Sequence, residues 1–101
     1  MIVIYTTQSY MSLEKSISFL EEKLDYSTED ISKLRDKLFD KADSLALNPR
    51  LGQYEVELDH LGEGHRRVIE GRFKIIYLIE GDHIYITDFF DTRQDSSKMK
   101  G

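Results

Sequence analysis

Apolar residues recur along this chain in two rhythms. Leu13, Ile17, Leu20 and Leu24 are spaced four, three and four apart, which places one stripe on a helix. Ile31, Leu34, Leu38, Ala42 and Leu45 repeat that pattern and predict a second helix. Ahead of both, Ile2-Val3-Ile4-Tyr5 is a short β-rich run that reads as an opening strand. Ser12 is placed as the N-cap of the first helix, with Lys15 rather than Glu at the third helical position. Thr28 is placed as the cap of the second, where Glu29 and Asp30 put negative charge against the positive end of the helix dipole. Asn48-Pro49 ends that helix, because a residue before proline is driven out of the α region. The charges off the two stripes read as solvated faces. Two stripes with a short connection predict an antiparallel helical hairpin packed on a sheet.

After Gly52 the rhythm becomes two. Tyr54, Val56 and Leu58 alternate with Glu55 and Glu57, which predicts a half-buried strand. Arg66 to Phe90 reads as three further strands, joined by tight turns at Glu70-Gly71 and Glu80-Gly81-Asp82. In the last strand Ile84, Ile86, Asp88 and Phe90 are expected on one side and Tyr85, Thr87 and Phe89 on the other. Turns this short force antiparallel pairing. The fold class is therefore α+β: an N-terminal strand, an antiparallel helical hairpin, then a four-stranded antiparallel meander, with the helices on one face of the sheet. Residues 1–101 are expected to form a single domain without internal repeats.

Composition narrows the chemistry. At 101 residues, 40% hydrophobic and 33% charged, the chain has the make-up of a soluble globular protein with one core. It has no cysteine, which excludes disulfides, thiol nucleophiles and thiolate-bound zinc, and leans towards a cytoplasmic location. The apolar run Ile2 to Tyr5 is too short for a signal segment or a membrane span. The net charge is −5, with nine acids against six bases in residues 1–47 and ten against eight in 48–101. No basic stripe of the kind that nucleic-acid binding draws on is present. His60, His65 and His83 fall in loops or at strand edges without ligand spacing, so they read as surface residues and no metal is assigned. No Gly-rich phosphate loop, nucleophile elbow or cofactor motif occurs.

The basic residues carry more. Arg66, Arg67, Arg72 and Lys74 belong to adjacent strands, and Arg93 and Lys98 follow the last one. Arg66 or Arg67 is within cross-strand reach of Lys74, and Arg93 would join from the end of the last strand. Such a cluster could hold a scissile phosphate and stabilise its transition-state charge. The competing expectation, favoured by the excess of acids, is that these cations pair with Glu55, Glu57, Glu70, Asp88 or Asp91.

Several short motifs then fall in order. They are Asn48-Pro49 with Gly52, Leu58-x-x-Leu61 leading to Arg67, Phe73-Lys74-Ile75-Ile76-Tyr77, the isoleucine-rich last strand, and Asp91-Thr92-Arg93-Gln94-Asp95. Together they resemble the RelE/ParE superfamily of type II toxin-antitoxin toxins, by motif over about half the chain. The resemblance implies a compact toxin neutralised by a cognate antitoxin that wraps a segment over its surface. The RelE-like branch cleaves mRNA on the ribosome with a few basic residues and a C-terminal tyrosine or histidine. By that resemblance Arg67, Lys74, Arg93 and Lys98 are the candidate catalytic residues, although Lys98-Met99-Lys100-Gly101 supplies no Tyr or His. Tyr77 reads as core. The ParE-like branch lacks the catalytic set and poisons DNA gyrase through a protein contact. Asp91 to Lys98 is similar to that branch, with Ser96 where a proline is common. The reading is a plasmid-stabilising toxin that binds a target such as DNA gyrase and is neutralised by a cognate antitoxin. An mRNA endoribonuclease is the first alternative and a non-toxic, decayed member the second.

Overall fold

Two side-chain caps set where the helices begin. The computed structural model describes residues 1–101, with β1 at Ile2–Tyr5, α1 at Thr7–Lys23 and α2 at Thr28–Asp43. The cap of α1 is Thr6, not Ser12: its Oγ1 accepts from the Ser9 N–H at 3.1 Å and donates to the Ile86 carbonyl at 2.9 Å. Tethering to the sheet lets the helix start directly after the strand. The cap of α2 is Ser27, one residue before the expected Thr28. Ser27 Oγ accepts from the Asp30 N–H and Asp30 Oδ2 from the Ser27 N–H, both at 3.0 Å, a complete capping box closed by Asp rather than Glu. Leu24 drops out of the first stripe, because α1 ends before it and leaves it 44% exposed.

The remaining strands are β2 (Gln53–Tyr54), β3 (Arg66–Glu70), β4 (Phe73–Glu80) and β5 (His83–Asp91). Their spatial order is β1-β5-β4-β3-β2. β2 to β5 form the expected antiparallel meander, and β1 joins it in parallel beside β5. The helical stripes pack on one face of this sheet, where Leu13, Ile17, Leu20, Ile31, Leu38 and Ala42 meet Val68, Phe73, Ile75, Tyr77, Ile84, Ile86 and Phe89. Each Leu or Ile removed fully from water contributes about 1.5–3 kcal/mol before chain entropy is counted. A smaller cluster of Leu58, Ile76, Phe90 and Met99 covers part of the opposite face. No helix is long and apolar enough to cross a membrane.

Two departures from the expected alternation shape that opposite face. The Gln53–Leu58 strand stops after two residues, and Val56–Leu61 forms a 3₁₀ turn instead. Tyr54 and Val56 are exposed, at 58% and 68%, while Glu55 is buried. Glu55 accepts from the Glu57 N–H at 3.3 Å and so starts the turn that takes the chain off the sheet. The second departure is a bulge between β4 and β5. Ile76 pairs with Asp88 and Tyr77 with Ile86, which leaves Thr87 as an extra residue. The bulge reverses the facing of everything after it. Phe89 therefore joins Ile84 and Ile86 against the helices, and Phe90 joins the cluster on the other face.

Tyr77, expected in the core, is fully buried there. Its hydroxyl donates to the Pro49 carbonyl at 2.8 Å and accepts from the Gly52 N–H at 2.9 Å. Gly52 has no alternative, since a Cβ there would lie 2.6 Å from that hydroxyl and against the Arg67 carbonyl. These contacts fix the α2–β2 connection to the sheet. Tyr77→Phe, which keeps the ring and removes both hydrogen bonds, should lower unfolding free energy by about 1–3 kcal/mol in urea denaturation. A loss below about 0.5 kcal/mol would show that the connection is held by other contacts.

Candidate functional site

The face of the sheet away from the helices carries most of the buried charge. Register places Lys74 opposite Ile69 and Arg67 opposite Ile76, so both cations project from that face. They converge on Glu55, whose side chain has no exposed surface. Lys74 Nζ lies 2.7 Å from Glu55 Oε1, and Arg67 Nε lies 3.8 Å from the same oxygen. The rest of the Arg67 guanidinium donates to the Tyr54 carbonyl and to Gln53 Oε1. Arg66 turns elsewhere: it donates to the Gly52 carbonyl at 2.8 Å and sits 4.2 Å over the Tyr54 ring. Desolvating a carboxylate costs several kcal/mol unless opposite charges and hydrogen bonds surround it, and Glu55 has both.

Arg93 does not join this group. It forms a two-pronged pair with Asp91, Nε to Oδ1 at 3.0 Å and a terminal nitrogen to Oδ2 at 2.8 Å. Asp91 also accepts from the Arg93 backbone N–H and holds the guanidinium above its usual pKa. Lys98 is exposed in a 3₁₀ turn, Ser96–Lys98, that Asp95 caps through the Ser97 N–H at 2.9 Å. Arg93 and Lys98 border a common groove beside the end of β5. The four candidate residues thus fall into two pairs, Arg67 with Lys74 and Arg93 with Lys98. Of the ion pairs expected from the sequence, those of Arg67 and Lys74 with Glu55 and of Arg93 with Asp91 form.

Two titratable groups on this side were not singled out by their spacing. Asp88 is 2% exposed. Its Oδ2 accepts from the Lys100 N–H at 3.0 Å, while Oδ1 has no hydrogen-bond partner. Burial pushes its pKa above the ordinary aspartate value, against the opposing pull of the Lys100 N–H, the nearby Ser12 hydroxyl and the Lys100 charge. The signal for Asp88 is an acid inside an apolar strand, and only the bulge decides which face it takes. His65 overturns the expectation of three surface histidines. It is 3% exposed, and neither ring nitrogen has a hydrogen-bond partner. A Cβ on Gly101 would lie 2.6 Å from its Nε2 and from Leu61 Cδ1, so the residues after β5 fold back against it. His60 is exposed as expected, and His83 is half-buried against Asp82 at 2.7 Å.

A parallel β1 beside β5, a helical hairpin on one face of the sheet and a cationic strand pair on the other make a small α+β domain whose architecture is consistent with the RelE/ParE toxin fold. Residues 3–96 match the family model for the ParE toxin of type II toxin-antitoxin systems, parDE, and the chain belongs to that family. A search among curated proteins gives no match.

Burial holds the His65 pKa below its ordinary 6.5, against the weaker opposing effect of Glu63. A base whose folded pKa is depressed contributes stability that is complete above its unfolded pKa and is lost as pH falls through the folded value. His65→Leu, which leaves no ring nitrogen unpaired, should give a flatter stability profile than the parent as pH falls below 6.5. Urea melts of both proteins across that range measure it. Parallel profiles would show that His65 protonates without penalty.

Proposed function

We propose that this chain is a growth-inhibiting toxin of a plasmid-stabilising system, that it acts by binding a protein target such as DNA gyrase, and that a cognate antitoxin holds it silent. Its family membership supports a toxin of the type II class. The observation that carries the choice of a binding mechanism is Glu55. The two cations best placed on the sheet to take a phosphate, Arg67 and Lys74, already hold a buried carboxylate of the same chain. A phosphodiester would have to displace an internal anion before those cations could stabilise a transition state. A protein contact has no such requirement.

The endoribonuclease reading uses Arg67, Lys74, Arg93 and Lys98, and it is separated from the binding reading by product. Induced expression should arrest growth, and co-expression of the antitoxin should relieve the arrest. The purified chain at micromolar concentration should inhibit supercoiling by DNA gyrase while ribosome-bound mRNA stays intact. Supercoiling unaffected at micromolar excess would rule out gyrase as the target. Cleaved mRNA that is restored by Lys74→Ala/Arg93→Ala would assign the ribonuclease mechanism instead.

A further inference from the structure

On the helix side of the sheet, the β3–β4 turn faces the first half of α2 across a cavity of about 430 Å³. Asp30, Lys33, Leu34 and Lys37 follow one another at helical spacing, so a single face of α2 forms one wall. Glu70 and Arg72 of the turn form the opposite wall. Glu70 belongs to this side because it alternates with Ile69 and follows Val68, which is in the main core. Leu20 and Phe73, both fully buried, make the floor. Tyr26 stands at one end, with its hydroxyl near the Arg93 guanidinium. The cavity is separate from the Glu55 ion pair, which lies on the open face.

The charges around this cavity do not satisfy one another. Lys37 and Arg72 are exposed and form no ion pair. Lys33 reaches only Glu29, outside the cavity, in a solvent-exposed contact at 3.4 Å that holds it loosely. Arg93 is fixed by Asp91 through Nε and one terminal nitrogen, and its other terminal nitrogen faces no carboxylate. Of the two acids, Asp30 is committed to the capping box with Ser27. Glu70 is half-buried, and its carboxylate has neither an ion pair nor a hydrogen bond. Cations and an acceptor that share a cavity without touching suit a ligand with an anionic end and hydrogen-bond donors elsewhere.

We infer that this cavity binds a free nucleoside phosphate. The phosphate meets Lys33, Lys37 and Arg72, whose N–H groups give charge-assisted hydrogen bonds to its oxygens. The base lies against the Tyr26 ring and the Leu34 side chain, and Glu70 accepts from the ribose hydroxyls. The volume falls within the range of about 300–1,000 Å³ typical of small-molecule sites. Inorganic phosphate is the poorer occupant, because it leaves Tyr26 and Glu70 without a contact. A nucleic-acid strand is poorer too. Each of its phosphodiesters carries one charge where a terminal phosphate carries about two, and the chain's net charge of −5 repels a polyanion. The site goes beyond the toxin reading and does not depend on it.

Isothermal titration calorimetry of the purified full chain with AMP and GMP tests the site without requiring toxicity. At least one of the two should bind, and adenosine or inorganic phosphate alone should bind about tenfold more weakly or worse. Lys37→Glu/Arg72→Glu, two exposed changes, should weaken the nucleotide about tenfold, as expected when charge-assisted hydrogen bonds are lost. An unchanged urea midpoint confirms that this variant folds. A 2′,3′-dideoxynucleotide should bind the parent severalfold more weakly than its ribose counterpart, and Glu70→Ala should remove that difference. The inference is overturned if neither nucleotide binds, or if the double variant binds as tightly as the parent. It is also overturned if inorganic phosphate or the dideoxynucleotide binds as tightly as the ribonucleotide. A 5′-phosphorylated RNA oligonucleotide that binds more tightly and displaces the mononucleotide would overturn it as well.

Discussion

Glu55 is a carboxylate with no exposed surface, and much of the sheet's open face is arranged around it. Removing an ion of that size from water costs several kcal/mol, so it stays buried only with close counter-charges. Lys74 from β4 and Arg67 from β3 provide them, and the Glu57 N–H adds a hydrogen bond. Each of these contacts has a structural consequence. The one with Glu57 turns the chain into a 3₁₀ segment and ends β2 after two residues. The two with the cations tie that turn to β3 and β4, and they occupy the charges that otherwise face solvent as a phosphate site.

The bulge at Thr87 is the second constraint, and it works on the other end of the same face. Because β5 gains one residue there, Phe89 enters the main core while Asp88 and Phe90 turn to the open side. Phe90 then meets Ile76, Leu58 and Met99, and the Asp88 carboxylate receives the Lys100 N–H. The residues after β5 are thereby held across the sheet. The run Asp91 to Asp95 serves the same end: Asp91 locks Arg93, and Asp95 caps the next turn. One end of the face is closed by an internal ion pair, and the other is a groove bordered by Lys98 and Lys100.

The sequence made the elements legible but not their finer geometry. The helical stripes, the meander and the core position of Tyr77 follow from spacing alone, because burial of one face imposes a period that survives single exceptions. The caps were misplaced by one to six residues, since Thr6 is selected by its bond to Ile86, a contact between residues far apart in the chain. Alternation failed at Glu55 and after Thr87 for a related reason. A buried ion pair and a bulge are both tertiary choices, and each reverses a pattern that assumes an undisturbed strand. Family membership was legible from short motifs in order. The pairing of Arg67 and Lys74 with Glu55 was expected as one option among several acids, and only the fold selects it.

The account turns on Glu55 holding Lys74 as a desolvated pair rather than as a loose surface contact. A double-mutant cycle with Glu55→Gln, Lys74→Met and the two combined, read by urea denaturation, measures that coupling directly. A buried pair predicts a coupling on the order of 2 kcal/mol, with each single change costing more than the double change implies. A coupling below about 0.5 kcal/mol, the range of exposed pairs, would contradict it and return Lys74 to the set of cations free to meet a phosphate.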